Sequence, residues 1–346
     1  MQAIAGSKVG GAESFFVRLV VALNSRNINQ KVIIGRSKSR MMKLQSEGIR
    51  PIEISFGGPI DFLSKIKIQK EINEFRPDII LSWMSRAASK VPISGQQITH
   101  IGRLGGYYSL KYYKSCDYLI GNTPDIVDYI VEEGFNPKRV IHLPNFVNDP
   151  INPPVKRSAL DTPENVPLIF AMGRLHKNKA FDVLLKSMPN IPDAWLWIAG
   201  EGPEKSFLKA LVEELGIGER TRFLGWSDKP DALLSAADIF VCPSRHEPLG
   251  NVIIEAWAAK KPVIAAASTG PKELLGDNEK GLVVPINNPK EIAGTCACDY
   301  LWERMYVWYD GLCNPCDADY KSELCVGSAK EKSIREIWHG QKYAEL

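Results

Sequence analysis

The stretch PSRHEPLGNVIIEAW, from Pro243 to Trp257, decides the fold of this chain. One apolar run precedes it, ADIFVCP (237–243), and a second follows it, KPVIAAAS (261–268). Short apolar runs of this kind are typical of strands buried on both faces of a sheet. The order strand, loop, helix, strand predicts a βαβ crossover, in which ligands bind beyond the carboxyl ends of the strands.

Two glutamates, Glu247 and Glu255, lie in this stretch with seven residues between them. We expect Glu247 in the loop and Glu255 inside the helix, where their carboxylates can accept hydrogen bonds from sugar or ribose hydroxyls. Gly250 lets the backbone at the helix start approach a phosphate. The alternative interpretation of the pair alone is two solvated helix charges.

A basic loop lies in the segment PLIFAMGRLHKNKAFDVLLKSM (167–188), between an apolar run and a helical pattern. Arg174, His176, Lys177 and Lys179 follow the predicted strand. Cations at a strand end beside a helix start can neutralise a diphosphate leaving group, and the alternative is a solvated basic loop.

Together these motifs resemble the E-x7-E signature and the GR-x4-K-G-x-D pattern of retaining glycosyltransferases of family 4. The second pattern matches at Gly173, Arg174, Lys179 and Asp182, with Ala180 where glycine is usual. The resemblance covers about residues 1 to 293. It implies an α/β chain of GT-B fold, with two Rossmann-like domains whose parallel sheets face each other across a cleft.

The same resemblance implies site roles. Glu247 would face the donor sugar and act in catalysis with Arg174 and Lys179, which would hold the diphosphate. Glu255 would hold the ribose. The other implied donor-binding positions are Gly10, Gly11, Gly173, Leu249, Gly250, Asn251 and Val252. No metal or other cofactor is expected for the transfer itself, because the basic loop supplies the positive charge.

The first half of the chain alternates short apolar runs with helical patterns, which predicts a parallel sheet with helices on both faces. We expect an acceptor-side domain over 1–152, a linker rich in proline, and a nucleotide-sugar domain over 153–293. The segment ITHIGRLGGYYSLKYY (98–113) is rich in glycine, arginine and aromatic residues, so we place it at the cleft on the acceptor side. His100 and Arg103 are its candidate acceptor-side residues, and the alternative for His100 is a structural histidine.

The predicted helix from about 61 to 75 combines Phe62, Leu63, Ile66 and Ile68 with lysines at 65, 67 and 70. Such a helix either lies on a membrane interface or packs its apolar side on the sheet and leaves its lysines in solvent. We expect the second arrangement.

Composition is that of a soluble globular protein, and no apolar run approaches the roughly 20 residues of a membrane span. We expect a cytoplasmic protein, peripheral to the inner face of the plasma membrane if it contacts lipid at all, with no nucleic-acid partner. The net charge of +3 is unevenly spread, since residues 1 to 150 hold 20 Lys and Arg against 13 Asp and Glu. Solvated lysines or attraction to an anionic surface would each explain this excess.

Five of the seven cysteines lie from Cys296 onward. The tail over 294–346 resembles part of the SPASM domain, which follows radical SAM enzymes and binds auxiliary iron–sulfur clusters, with Cys298, Gly311 and Cys316 fitting its opening pattern. Thiolates suit iron or zinc, so the candidate ligands are Cys296, Cys298, Cys313, Cys316 and Cys325. A cluster, a zinc ion or free thiols remain alternatives. The CxxxCxxC triad of radical chemistry is absent from the sequence.

The resemblance implies an enzyme that moves a sugar from a UDP-, GDP- or ADP-linked donor to a glycan or lipid-linked acceptor, in polysaccharide or lipopolysaccharide assembly. Two alternatives remain from the sequence: a degenerate transferase core that serves as a scaffold for the cysteine module, and a nucleotide-sugar epimerase of the same fold.

Overall fold

The computed structural model describes residues 1–6, 10–57, 61–92, 97–276 and 280–296, and the backbone of three short strands beyond them. The chain divides into two compact units, Met1–Val147 and Asn148–Leu346. The division falls a few residues before the linker that the sequence predicts at residue 152. No helix of the described ranges is long and apolar enough to cross a lipid bilayer.

The first unit is built on a parallel sheet with the strand order β3-β2-β1-β4-β5-β6-β7. Its strands are β1 (Gln2–Ile4), β2 (Val32–Gly35), β3 (Ile52–Ile54), β4 (Ile79–Trp83), β5 (Thr99–Leu104), β6 (Tyr118–Gly121) and β7 (Val140–His142). Its helices are α1 (Gly11–Ser25), α2 (Lys38–Ser46), α3 (Phe62–Phe75), α4 (Met84–Ala88) and α5 (Pro124–Glu132). The predicted alternation is confirmed, but β5 lies in the segment that the sequence assigns to a cleft instead of a strand.

Helices cover both faces of this sheet, as the continuous apolar strands require. One face packs Phe16 and Val20 of α1 against Ile34 of β2. The opposite face packs Ile68 and Ile72 of α3 against the sheet. Strand β2 therefore contributes side chains to both cores, with Ile33 on one side and Ile34 on the other.

The second unit repeats the plan with the order β10-β9-β8-β11-β12-β13, again all parallel. Its strands are β8 (Leu168–Met172), β9 (Trp195–Ala199), β10 (Thr221–Gly225), β11 (Ile239–Cys242), β12 (Val263–Ala266) and β13 (Leu282–Val284). Its helices are α6 (Phe181–Ser187), α7 (Lys205–Glu214), α8 (Pro230–Ala236), α9 (Asn251–Ala258), α10 (Thr269–Leu275) and α11 (Pro289–Cys296). The predicted crossover from β11 through α9 to β12 is present.

Strand β8 has no polar residues because both of its faces are buried. Leu168 and Phe170 point into the core under α8 and α9, whereas Ile169 and Ala171 point into the core under α6 and α7. All four side chains are fully buried. Successive residues of a strand alternate between the two faces, so a strand at the centre of such a sheet must be apolar throughout.

Three further strands, β14 (Tyr306–Val307), β15 (Leu312–Asn314) and β16 (Gly327–Ser328), form a small antiparallel sheet in the order β14-β15-β16. Of the predicted cysteine ligands, Cys313 lies in β15, where only the backbone is described. Cys298, Cys316 and Cys325 lie outside the described residues.

Candidate active site

The strand order of the second unit fixes where a ligand would bind. Chain connections run from β8 outward through β9 to β10, and then return to β11 on the other side of β8. The order therefore reverses between β8 and β11, and the carboxyl ends of these two strands open the crevice that doubly wound sheets use for ligands. The basic loop follows β8, and the first glutamate follows β11.

The structure brings the predicted catalytic residues Lys179 and Glu247 together as an ion pair between Lys179 Nζ and Glu247 Oε2. Only 24% of the lysine side chain and 13% of the glutamate side chain are exposed. Burial lowers the pKa of Lys179, but the charge of Glu247 and the hydrogen bond to it outweigh burial, so the pKa is raised overall. The site thus holds a fixed, charged ammonium beside a carboxylate at the crevice.

Ser244 adds to this pair, because its hydroxyl donates to Glu247 Oε2 at 3.4 Å. Beneath it, burial and then the charge of Glu247 raise the pKa of the Cys242 thiol, which contacts Ser244 Oγ at 3.6 Å. Cys242 therefore lies beneath the site as a protonated thiol, and it is not a nucleophile.

Arg174 is the second predicted cation, and its side chain is exposed. Within the described ranges it forms no hydrogen bond or ion pair with another side chain. Gly173 precedes it with φ of 153°, and a Cβ there would lie 3.5 Å from Lys179 Cε. The loop thus presents the exposed guanidinium of Arg174 directly after a glycine whose backbone lies against the Lys179 side chain.

Arg245 lies in the stretch from Pro243 to Trp257, but neither sequence motif assigns it a role. Its guanidinium makes a bidentate pair with Asp182, at 2.8 and 2.7 Å, and donates to the Lys177 carbonyl at 2.7 Å. Its Nε donates to Asn287 Oδ1 at 2.6 Å. Its backbone N–H donates to the Asn178 carbonyl at 2.8 Å. One side chain therefore ties the loops after β8, β11 and β13 together.

The pairing of Asp182 with Arg245 explains the aspartate at the last position of the GR-x4-K-G-x-D pattern. It lies in the first turn of α6 and faces Arg245. Burial raises its pKa, but the hydrogen bonds and charge of Arg245 outweigh burial and hold the pKa below its usual range. The aspartate thus holds the glutamate loop against the lysine loop.

Ala180 departs from the family pattern, and the structure shows what the departure costs. It has φ of 52° and ψ of 36°, the left-handed conformation that glycine adopts without strain. The residue is fully buried and begins α6 directly after the turn Lys177–Lys179. The chain therefore keeps the backbone that the pattern's glycine implies and places an alanine methyl group in it.

Two glycines after β9 keep the base of the crevice closely packed. A Cβ at Gly200 would lie 1.9 Å from the carbonyl oxygen of Gly173, and one at Gly202 would lie 2.2 Å from that of Leu175. Leu175 N–H also donates to the Glu201 carbonyl at 3.0 Å. The GEGP turn is thus a backbone-on-backbone contact that only glycine permits.

The predicted donor-binding segment Leu249 to Val252 crosses into α9. Leu249 is buried, and Gly250 caps the helix with φ of 88°. Asn251 and Val252 occupy the first turn, where backbone amides lack helical acceptors. Glu255 lies in the same helix and is half-buried.

Two predicted donor glycines lie in the first unit. Gly11 begins α1 and Gly10 is its N-cap, directly after β1 and a loop whose residues 7–9 lie outside the description.

His100, a predicted acceptor-side residue, is buried in β5. Its Nδ1 lies 2.9 Å from the Ser115 carbonyl and so donates the hydrogen bond, which leaves Nε2 to accept from the Ser82 hydroxyl at 2.8 Å. Burial lowers its pKa. These contacts are those of a neutral structural histidine, the alternative that the sequence analysis keeps open.

Arg103, the other acceptor-side candidate, is also buried. It donates to the Leu143 carbonyl at 2.9 Å and to Asn145 Oδ1 at 2.7 Å. Its guanidinium lies 4.9 Å from the centroid of Phe15 and 5.4 Å from that of Trp83. Burial lowers its pKa to about 10. The arginine anchors the LPN segment at the end of the first unit.

Cys296 is the one predicted metal ligand whose side chain is described. It is fully buried in the core beneath α6 and α11, and burial raises its pKa to about 12. The thiol therefore lies in the apolar core of the second unit. Within the described residues no three His, Cys, Asp or Glu side chains form a metal-binding group.

Comparison with known sequences defines the class. Residues 154–297 match the family model of glycosyl transferases group 1, and residues 296–346 match that of the SPASM iron–sulfur cluster-binding domain. Both predicted resemblances are thereby confirmed.

Two relatives from Rhizobium meliloti (strain 1021) extend the match over most of the chain. The lipopolysaccharide core biosynthesis glycosyltransferase LpsE is 36% identical over 291 residues, or 83% of this chain and 84% of the relative. LpsD, of the same description, is 38% identical over 283 residues and 80% of each chain. The chain belongs to the group 1 glycosyltransferases and is an enzyme of that class.

Solved structures agree on the fold. Anabaena HepE in complex with UDP-glucose superposes with a TM-score of 0.73 at 19% identity, over 87% of this chain and 90% of that one. WaaG, a glycosyltransferase involved in lipopolysaccharide biosynthesis, gives a TM-score of 0.65 at 16% identity, over 87% and 92%. The predicted α/β fold with two Rossmann-like domains is confirmed.

Proposed function

We propose that this chain transfers a sugar from a UDP-linked donor to a glycan or lipid-linked acceptor of the lipopolysaccharide core, with retention of the anomeric configuration. The names of LpsE and LpsD support the pathway, and the UDP-glucose bound to HepE supports the donor base. The roles given to Lys179, Arg174, Glu247 and Glu255 belong to the same proposal.

The main support for this proposal is the ion pair where the strand order of the second sheet reverses, between β8 and β11. Lys179 is held on Glu247, and Arg174 lies exposed on the same loop. The diphosphate of a bound nucleotide carries two negative charges, and the loop after β8 supplies two cations, Lys179 and Arg174, to neutralise them. Glu255, in the helix α9 that follows the Glu247 loop, accepts from the ribose hydroxyls.

The group transfer then proceeds without a protein nucleophile. The acceptor hydroxyl oxygen attacks the anomeric carbon from the side of the leaving group, while the bond from that carbon to the β-phosphate oxygen breaks. The hydroxyl proton passes to the departing phosphate oxygen. Lys179 and Arg174 stabilise the charge that develops on the diphosphate, and Glu247 positions the sugar, so catalysis rests on positioning and electrostatics.

The cysteine tail is a separate part of the proposal. Its match to the iron–sulfur cluster-binding domain supports an iron–sulfur cluster on the cysteines after Cys296. No step of sugar transfer is assigned to that group.

Product formation tests this function. The purified chain is incubated with radiolabelled UDP-glucose, UDP-galactose, GDP-mannose or ADP-glucose and with lipopolysaccharide of truncated core. We expect label to enter the acceptor from one UDP sugar, with retained configuration by NMR. Glu247→Gln should lose transfer by about a hundredfold or more, and Glu214→Gln, at the exposed end of α7, should not. Donor binding without transfer to any acceptor would favour the scaffold alternative.

A further inference from the structure

Helix α3 of the first unit carries an apolar patch on the side that faces away from the sheet. Phe62, Leu63 and Ile66 are 65%, 70% and 64% exposed. Ile68 and Ile72 of the same helix are fully buried. The expectation that the apolar side of this helix packs on the sheet is therefore wrong for three of its four named residues.

Helical geometry gathers these three side chains on one arc. Each residue advances the helix by about 100°, so positions 62, 66 and 63 span about 100° of the surface, centred opposite the stripe of Ile68 and Ile72. The arc is compact and convex, because it lies on the first two turns of a surface helix. It lacks the concave shape of a small-molecule site.

Lysines border the patch on both sides. Lys65 and Lys67 are exposed on opposite flanks, and neither forms an ion pair with another described residue. Lys70, one turn further, pairs with Glu74 at 3.6 Å. The helix cap Asp61 is engaged inward, since it accepts from Ser64 N–H at 3.0 Å. The patch is thus positive at its rim, in a half-chain with 20 cations against 13 anions over residues 1 to 150.

We propose that this face of α3, defined by Phe62, Leu63, Ile66, Lys65 and Lys67, is the surface with which the enzyme docks on an anionic lipid bilayer. Apolar side chains enter the boundary of headgroups and acyl chains, while flanking lysines reach the phosphates with their ammonium groups. Charge complementarity favours lipid over a second copy of this chain, which would bring the same cations face to face. The docking does not depend on the identity of the donor or the acceptor.

Vesicle sedimentation with the full chain tests the proposal. We expect binding to vesicles of phosphatidylcholine with 30% phosphatidylglycerol (a composition of roughly the anionic content that draws basic surfaces), weakened by salt, and little binding to phosphatidylcholine alone. The triple variant F62S/L63S/I66S should bind at least about a hundredfold more weakly. K65Q/K67Q should lose about twenty-five-fold, or about fivefold per lysine.

Two controls keep the outcome decisive. Phe207→Ser removes a side chain that is 53% exposed on α7 of the second unit, and it should bind vesicles as the wild type does. Circular dichroism establishes that each variant is folded. Equal vesicle binding by the triple variant and the wild type would overturn the proposal. The proposal would also be overturned if the wild type failed to bind vesicles and formed a dimer that the triple variant abolished. The patch would then join two copies of the chain. Both measurements are made without donor or acceptor, so the outcome is independent of the proposed sugar transfer.

Discussion

Removing the guanidinium of Arg245 should loosen the loops of the crevice and lower the stability of the second unit. The side chain makes two hydrogen bonds to Asp182 and one each to Lys177 and Asn287, at 2.6 to 2.8 Å. Arg245→Gln keeps part of the chain length and removes the charge and the fork geometry that binds a carboxylate.

The expected loss in the free energy of unfolding depends on how exposed Arg245 and Asp182 are. Hydrogen bonds to charged groups contribute about 1.5–3 kcal/mol each when buried. Here 31% of the Arg245 side chain and 19% of the Asp182 side chain are exposed, so solvent screening reduces the pair. We expect a loss of about 1–2 kcal/mol in the free energy of unfolding, which lowers Tm by about 2–8 °C in a unit of this size.

The assay is thermal unfolding of Arg245→Gln, Asp182→Asn and the double variant, with Lys209→Gln on the exposed face of α7 as the matched control. The two single losses should overlap, with a coupling of about 1 kcal/mol in the double-mutant cycle.

The stabilisation contributed by the Arg245–Asp182 pair should change with pH in one direction. The folded pKa of Asp182 lies below its unfolded value, so the pair stabilises fully above about pH 4 and loses its contribution as pH falls through the folded pKa. The advantage of the wild type over Asp182→Asn should therefore shrink only in acid. Strict additivity of the two single variants, or a Tm within about 1 °C of the wild type for Arg245→Gln, would show that the Arg245–Asp182 pair does not stabilise the loops.

Three further predictions test the local geometry. Ala180→Gly should raise Tm by about 2–4 °C, because it relieves about 1 kcal/mol of left-handed strain; an unchanged or lower Tm in differential scanning fluorimetry would contradict this. Gly200→Ala should be far more destabilising than Gly216→Ala, since a Cβ at Gly200 would lie 1.9 Å from the Gly173 oxygen, whereas one at Gly216, also at positive φ, meets nothing within 4 Å; equal losses of Tm would remove the steric argument. The Cys296 thiol should resist alkylation at pH 8 in the folded protein and react after denaturation, as followed by peptide mass spectrometry; rapid labelling of the native chain would show that it is accessible.

Much of the fold was predictable because its signals are local. Continuous apolar runs such as LIFAM of β8 and IFVC of β11 can only be buried on both faces, and the patterns between them have helical period. The predicted loops therefore meet at the carboxyl edge once the strand order is known. Strand β5 was missed because glycine, arginine and aromatic residues around THIGRL hide its alternation.

The pairing of Arg245 with Asp182 joins positions 63 residues apart, and no local pattern states such a partner. The orientation of α3 was missed for a different reason. The sequence FLSKIKIQKEINEF offers two apolar stripes to one sheet, and only packing decides which of them is buried. The strain at Ala180 appears in sequence only as a departure from a pattern.

The crevice between β8 and β11 should bind a nucleotide sugar through the basic loop and the glutamate pair. Isothermal titration calorimetry of the wild type with UDP-glucose, UDP-galactose, GDP-mannose and ADP-glucose tests it most directly, beside Glu255→Ala and the control Glu214→Ala. We expect a UDP sugar to bind the wild type and the control, and Glu255→Ala to lose this binding while its circular dichroism spectrum is unchanged. A folded wild type that binds none of the donors, or a Glu255→Ala variant that binds as tightly as the wild type, would contradict it.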